Sequence, residues 1–420
     1  MKKRNLLVLA GALLIGSGAL VGCGGGKTPA SNEKPNSETP TSETKKAIDL
    51  KVWCANEDAE FMAATIEKFK AANPGTEYKF TVEPVAEADA LTAVQKDLSL
   101  TADVFHFAGD QLVTLQKNAA LYQIPSSFVE GLGLSAGCLG AGQIDGKQYG
   151  IPFTPNTYFM YYDSSVYTAE DVKSVTNMLN VDVASKHPGY KYNAAFNMSD
   201  AWYYQSIVFS SGGTMNEETG KWDNSETAAK FVAKWANNKK LIMAGGTANL
   251  GIDAAAVIDG AWNATKHEEI LGKNYACAPL PTLNFGNGEV AWKAVGDYKM
   301  IGVKSTTKVP QHAAKFAAFL SSAEIQTDRF VARKAAPTNE KALENPALAD
   351  NKAIIAQTKT LANTFAQPSA IYSKNDYWNA WKAYWTDLKA CDTDEKAVTA
   401  LNAFNKVLGD NFEASKAEAK

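Results

Sequence analysis

This 420-residue chain reads as an α/β protein of two lobes, each discontinuous in sequence, and three observations predict that. Strand and helix patterns alternate from Ile48 to Phe107, which is how a parallel α/β sheet is written. The roughly 370 residues from Ile48 onward exceed what a single core fills. Two apolar strand-like runs, Thr157–Tyr162 and Tyr298–Val303, fall where a chain could cross between lobes. The expected boundaries are 48–153 with 301–345 for the N-terminal lobe and 156–298 with 350–420 for the C-terminal lobe.

The elements follow in order. Ile48, Leu50 and Val52 alternate with polar residues and lead into Trp53-Cys54, a strand. Phe61, Met62, Ile66 and Phe69 recur at helical spacing until Asn73-Pro74-Gly75 stops the helix. Tyr78, Phe80 and Val82 form a second strand, a helical segment runs from about Ala88 to Thr101, and Asp103–Phe107 is a third strand. Loops beyond the carboxyl ends of such strands line the ligand crevice. Those loops are Ala55-Asn56-Glu57-Asp58 and Gly109-Asp110-Gln111, with Phe107 at the strand end. A second α/β region holds Trp202-Tyr203-Tyr204, an amphipathic helix around Phe231 and Trp235, and the strand and turn Ile258-Asp259-Gly260-Ala261-Trp262. Helices from Pro310 to Phe330, around Trp378 to Leu388 and from Ala397 to Glu413 complete the chain.

The leader carries its own signal. Met1-Lys2-Lys3-Arg4 precedes an apolar run from Leu6 to Val21, too short to span a membrane permanently, and small residues flank Leu20-Val21-Gly22-Cys23. This segment resembles the lipobox of bacterial lipoproteins. The resemblance implies a signal peptide over 1–22, a lipid on Cys23, and anchoring at the extracellular face of the cytoplasmic membrane. Residues 24–46 contain no large apolar side chain and read as a flexible tether.

Composition bounds the partner. The chain holds 42 basic and 45 acidic residues, net −3, and losing the leader cations makes it more acidic. That balance disfavours nucleic acid. Cys54, Cys138, Cys277 and Cys391 are scattered, so no disulfide framework is indicated, and one incidental pairing stays open. His106, His187, His267 and His312 are isolated, with no metal-ligand spacing. No cofactor motif, Walker loop or nucleophile elbow occurs.

From Lys51-Val52-Trp53 through Asp103-Val104-Phe105, Gly146-Lys147-Gln148-Tyr149-Gly150-Ile151-Pro152, Phe196-Asn197, Ile258-Asp259-Gly260-Ala261-Trp262, Pro279-Leu280-Pro281 and Tyr377-Trp378, the chain resembles the maltose and maltodextrin-binding lipoproteins of carbohydrate ABC importers. The resemblance implies a periplasmic-binding-protein-like fold that closes about a hinge. It also implies capture of maltose, maltotriose or longer α-1,4-glucans, delivery to permease subunits, a monomeric state and no catalysis.

Carried over residue by residue, the resemblance makes Trp202, Trp262 and Trp378 aromatic platforms. It makes Asn56, Glu57, Asp58, Asp110 and Asp200 hydroxyl partners. Gln111 stands where the pattern often has arginine, and Asn156 where it has glutamate. Tyr298 could add a platform, as could Trp292. Indole rings covering pyranose faces and carboxylates satisfying hydroxyls are the chemistry a sugar requires. The expected site is a groove to which both lobes bring indoles. The structural alternatives are also explicit: Trp235, Trp381 and Trp385 are core, Trp53 packs beneath the site, Asp110 is a helix cap, and Glu57 and Asp58 are a solvated capping pair. Other functions compatible with these side chains are binding of a different oligosaccharide or a peptide, and a cell-surface glycoside hydrolase using acids such as Glu57, Asp110 and Asp200.

Overall fold

The structure, a computed structural model, describes residues 47–418; the leader, Cys23 and the tether lie outside the described residues. Ten strands form two five-stranded sheets: β1 (Ile48–Cys54), β2 (Tyr78–Pro84), β3 (Val104–Ala108), β4 (Gly150–Asn156), β5 (Tyr158–Asp163), β6 (Ala194–Ala195), β7 (Leu241–Ile242), β8 (Ala256–Gly260), β9 (Tyr275–Ala278) and β10 (Asp297–Val303). The first sheet has the order β2-β1-β3-β10-β4 and the second β7-β6-β8-β5-β9.

Neither sheet is purely parallel. In the first, β1 runs parallel to β2 and β3, while β10 is antiparallel to β3 and β4. In the second, β7, β6 and β8 are parallel and β5 opposes both β8 and β9. The antiparallel strands are the ones delivered by chain crossing between halves, which enters a sheet from its far end; strand periodicity alone carries no such direction.

The crossings are tighter than the sequence suggests. Asn156 ends β4 in the first sheet and Tyr158 begins β5 in the second, so fully buried Thr157 alone lies between them. On the return, β10 starts at Asp297, so Asp297 and Tyr298 pair with the first sheet although both fall inside the expected C-terminal span. A third passage follows Thr338, whose hydroxyl donates to the Pro152 carbonyl at 3.0 Å. It ends at helix Lys352–Leu361, where the Lys352 ammonium donates to the Tyr275 carbonyl at 2.8 Å.

Each half has its own core, as burial of both faces of a sheet by helices requires. Leu50, Val52, Phe69, Val104, Ile301 and Phe316 pack in the first. Met160, Tyr204, Trp235, Trp381, Trp385 and Phe404 pack in the second. Trp292 is also core: it is 2% exposed and its indole N–H donates to Ser206 Oγ at 2.7 Å, so it offers no platform. Trp53, in β1 inside the first sheet, is buried with its indole N–H donating to Glu83 at 2.9 Å. All four described cysteines are free thiols. Among the described residues, no helix is long and apolar enough to cross a membrane.

Candidate functional site

Two of the expected indoles meet. Trp202 lies in the first turn of helix Ala201–Ser210, whose N-cap Asp200 accepts the Trp202 backbone N–H at 2.9 Å. Trp262 sits in the turn after β8. The two rings lie 5.8 Å apart, inclined by 38°, and both are half-buried. Tyr158 packs edge-on against Trp202 at 4.7 Å.

The turn carrying Trp262 is fixed from below. Asp259, 1% exposed, accepts from the Gly260 N–H and the Asn263 amide and pairs with His267 Nε2, each at 2.8 Å. A Cβ on Gly260 would lie 2.0 Å from the Trp262 ring. Glycine at 260 is therefore what lets the indole fold back over its own strand end.

Trp378 opens helix Tyr377–Leu388, half-buried and edge-on to Tyr372 and Tyr377 at 5.6 and 5.1 Å. The Tyr377 hydroxyl donates to the Ala201 carbonyl at 3.2 Å, which ties this helix to the one bearing Trp202. All three indoles thus belong to the second half. The expectation that both lobes contribute indoles is corrected: the first half brings charged and polar groups instead.

Those groups gather where β3, β4 and β10 end. Asp110 follows β3 in a short 3₁₀ turn, caps no helix with its side chain, and keeps its carboxylate for other partners. Gly109 packs on Asp297, at the start of β10, so closely that a Cβ would sit 2.3 Å from Asp297 Oδ1. Asn156 at the end of β4 pairs in register with Asp297. Burial pushes the Asp110 carboxyl up to about 6, opposed by a hydrogen bond from the Gln367 amide. Burial, then the charge of Asp110, pushes Asp297 up to about 7. Both remain partly wetted while protein surrounds them, the environment of a cleft floor. Gln367 in turn accepts from the Gln205 amide at 2.7 Å, linking this cluster to the helix of Trp202.

Strand alternation puts Asp297 and Lys299 on one face of β10 and Tyr298 on the other. The Tyr298 hydroxyl lies beside the Cys138 thiol, and its half-buried ring packs against the first-half aromatic cluster. Lys299 reaches the second half: its ammonium lies 5.2 Å from the centre of the Trp262 ring and 3.1 Å from Glu87 Oε2.

Several expected ligand residues are occupied elsewhere. Asp58 is 2% exposed and bridges Arg329 at 2.9 Å and Arg333 at 3.2 Å. Burial alone would raise its carboxyl, but the Arg329 charge wins and holds it at about 2. It is an internal ion-pair partner, neither a free hydroxyl acceptor nor solvated. Gln111, 6% exposed, spends its amide on the backbone of residues 87–91, accepting from Leu91 N–H and donating to the Glu87 and Ala88 carbonyls. Phe107 is fully buried against Phe105. Asn56 and Glu57 are exposed in the turn after β1, and Asp200 is exposed at its helix cap.

Asp58, Glu87 and His106 bring potential metal-ligand atoms within 4.8 Å of one another. Arg329, Arg333 and Lys299 already neutralise the two carboxylates. Burial pushes the His106 imidazole down to about 4, with Glu87 and Asp58 opposing. A net-cationic, crowded surrounding of this kind suits an internal charge network, not a further cation. Two concavities, of about 370 and 360 Å³, have neither Trp202 nor Trp262 in their walls. One is lined by Tyr275, Phe330 and Lys334, the other by Tyr192, Met243 and Trp385.

Two sheet-based halves joined by three passages, with paired indoles on one and half-buried acids on the other, define a protein built to enclose a small polar ligand. A family model described as bacterial extracellular solute-binding protein matches residues 64–357, and the chain belongs to that family. Its relatives are binding proteins, and membership implies a secreted location. The galactooligosaccharide-binding protein of Bacillus subtilis (strain 168) is 22% identical over 399 residues, 90% of each chain. The maltodextrin-binding protein MdxE of the same organism is 26% identical over 337 residues, 75% of this chain and 76% of the relative. A solved structure described as being with acarbose is 28% identical with a TM-score of 0.79, covering 87% of this chain and 99% of the other.

Sequence reasoning missed Asp297, Lys299, Glu87 and Gln367. The run Val295-Gly296-Asp297-Tyr298 does mark a return crossing, but an aromatic preference selects Tyr298, and only strand alternation in the folded sheet puts Asp297 on the opposite face of β10, against Gly109.

Proposed function

We propose that this protein captures malto-oligosaccharides, α-1,4-glucans of maltose length or longer, between its two halves and delivers them to the permease subunits of an ABC importer. The observation that carries the reading is the half-buried Trp202–Trp262 pair, linked to the Asp110, Asn156 and Asp297 cluster through Lys299, two residues along β10 from Asp297, and through Gln205 and Gln367. Flat rings cover the C–H faces of a pyranose, while the acids and amides accept or donate at its hydroxyl rim. Relatives named for maltodextrin and a structure solved with acarbose support a glucan-type ligand. Closure is favoured because the sugar contacts both halves only when they approach, so its differential affinity shifts the population. Trp378 is a further platform in this reading, with Asn56, Glu57 and Asp200 at the cleft rim. In this reading no bond is made or broken, in keeping with Glu57, Asp110 and Asp200 standing on three separate loops or caps.

The protein acts as a monomer held by lipid on Cys23, with the tether letting the domain reach the permease. Isothermal titration with maltose, maltotriose and maltopentaose tests the ligand; absence of heat at millimolar sugar overturns it. A second ligand class is kept by one observation: the relative covering 90% of this chain is named for galactooligosaccharide. Heat with a galactooligosaccharide and none with glucans would select it.

A further inference from the structure

We propose that Lys299 is a positioning residue for ligand capture, docking its ammonium from the first half onto the Trp262 ring of the second. The inference rests on the capture reading above and names a contact that acts within it.

Three features place the ammonium there. The register of β10 against β4 shifts between Lys299 and Met300, and an irregularity of this kind re-aims the neighbouring side chain. Glu87 then anchors the ammonium at 3.1 Å, with side-chain exposures of 13% for Lys299 and 5% for Glu87. Glu87 is itself held in place, since its carbonyl accepts the Gln111 amide at 3.0 Å. The last link is Lys299 to Trp262 at 5.2 Å, from one half to the other.

These links differ in what movement does to them. Gln111, Glu87 and Lys299 all belong to the first half, so their contacts survive any opening between halves. The contact with Trp262 exists only when the halves approach. An interaction present in one state alone shifts the equilibrium toward that state. A partly desolvated ammonium on an indole face is strong enough to change such an equilibrium by about 3- to 30-fold. The anchor also keeps the ammonium from wandering, so it is in place to meet the Trp262 ring when the halves approach.

Titration calorimetry with maltotriose on wild type, K299M, K299R and the E87Q/K299M pair tests this, together with energy transfer between dyes placed on the two halves of the ligand-free protein. K299M keeps the stem and removes the charge; it is expected to bind roughly 3- to 30-fold more weakly and to lower the ligand-free energy transfer. K299R restores both, because a guanidinium can satisfy Glu87 and the ring together. If K299M is unstable because Glu87 is left buried and unpaired, the double variant supplies the same readings. Wild-type affinity in the charge-free variants, or unchanged energy transfer, overturns the role of Lys299 while leaving capture standing. A wild type that binds no oligosaccharide overturns the capture reading and this inference with it.

Discussion

The indoles of Trp202 and Trp262 lie 5.8 Å apart at an inclination of 38°, although 60 positions of sequence separate them. One begins a helix and the other follows a strand. Their meeting joins two of the residues expected to touch a ligand on one half of the molecule.

Removing either ring should weaken binding without unfolding the protein. Trp202→Ala and Trp262→Ala are each expected to lower malto-oligosaccharide affinity by about tenfold or more, since aromatic stacking and area are lost together. Both side chains are half-buried, so melting temperatures should fall only modestly. Calorimetric titration showing less than a twofold change in both variants would remove the indole pair from the site.

Gly260→Ala tests how the platform is oriented. The added methyl would lie 2.0 Å from the Trp262 ring, so the indole must swing away, at an overpacking cost of about 1–3 kcal/mol. Tryptophan fluorescence should shift and affinity should drop while Trp202 is untouched. An unshifted spectrum with native affinity contradicts the geometry of the turn.

The carboxyls of Asp110 and Asp297 predict a pH dependence of defined sign. Their folded values, about 6 and about 7, lie above the ordinary 3.8. The folded state therefore binds more protons over that interval. Their contribution to stability is complete below the unfolded value and is lost as pH rises through the folded values. Thermal melts of wild type and Asp297→Asn at about pH 5 and pH 8 isolate this contribution, and the variant should lose less stability on going to the higher pH. Parallel profiles for the two proteins would show that Asp297 carries no such linkage.

Asp58 should behave in the opposite sense and without effect on the ligand. Held at about 2, its stabilising contribution is present above the unfolded value and is lost as pH falls toward the folded one. Asp58→Asn leaves Arg329 and Arg333 without their buried partner and should cost about 3–5 kcal/mol in denaturant unfolding. At a temperature where the variant is folded, its sugar affinity should stay within about threefold, because the carboxylate faces arginines instead of the cleft. A large affinity loss in a stably folded variant would return Asp58 to the site.

Much of this architecture is written locally. Period-two runs at Ile48–Val52 and Tyr78–Val82, the short apolar run Asp103–Phe107 and the 3.6-residue spacing of Phe61, Met62, Ile66 and Phe69 become the expected strands and helix, because burial of apolar side chains is a local demand. The helical stripe Trp381 and Trp385 and the mid-helix Trp235 likewise go to the core. Asp58, Gln111 and Phe107 show the limit. Each lies in or beside an expected ligand loop, and each faces inward: toward arginines 271 and 275 positions away, a backbone turn 20 to 24 away, or a buried ring. A loop's position announces a strand end, but not which of its side chains turns toward the cleft.

The sequence by itself determined the two-lobed α/β class, the order of most elements and the three indoles to examine, since periodicity and turn chemistry act over a few residues. Tertiary structure alone decided that Trp202 meets Trp262, that Asp297 and Tyr298 take opposite faces of β10, and that Lys299 meets Trp262. Those outcomes depend on sheet direction, register and the packing of segments remote in the chain, and residues so far apart carry no mark of one another until the backbone brings them together.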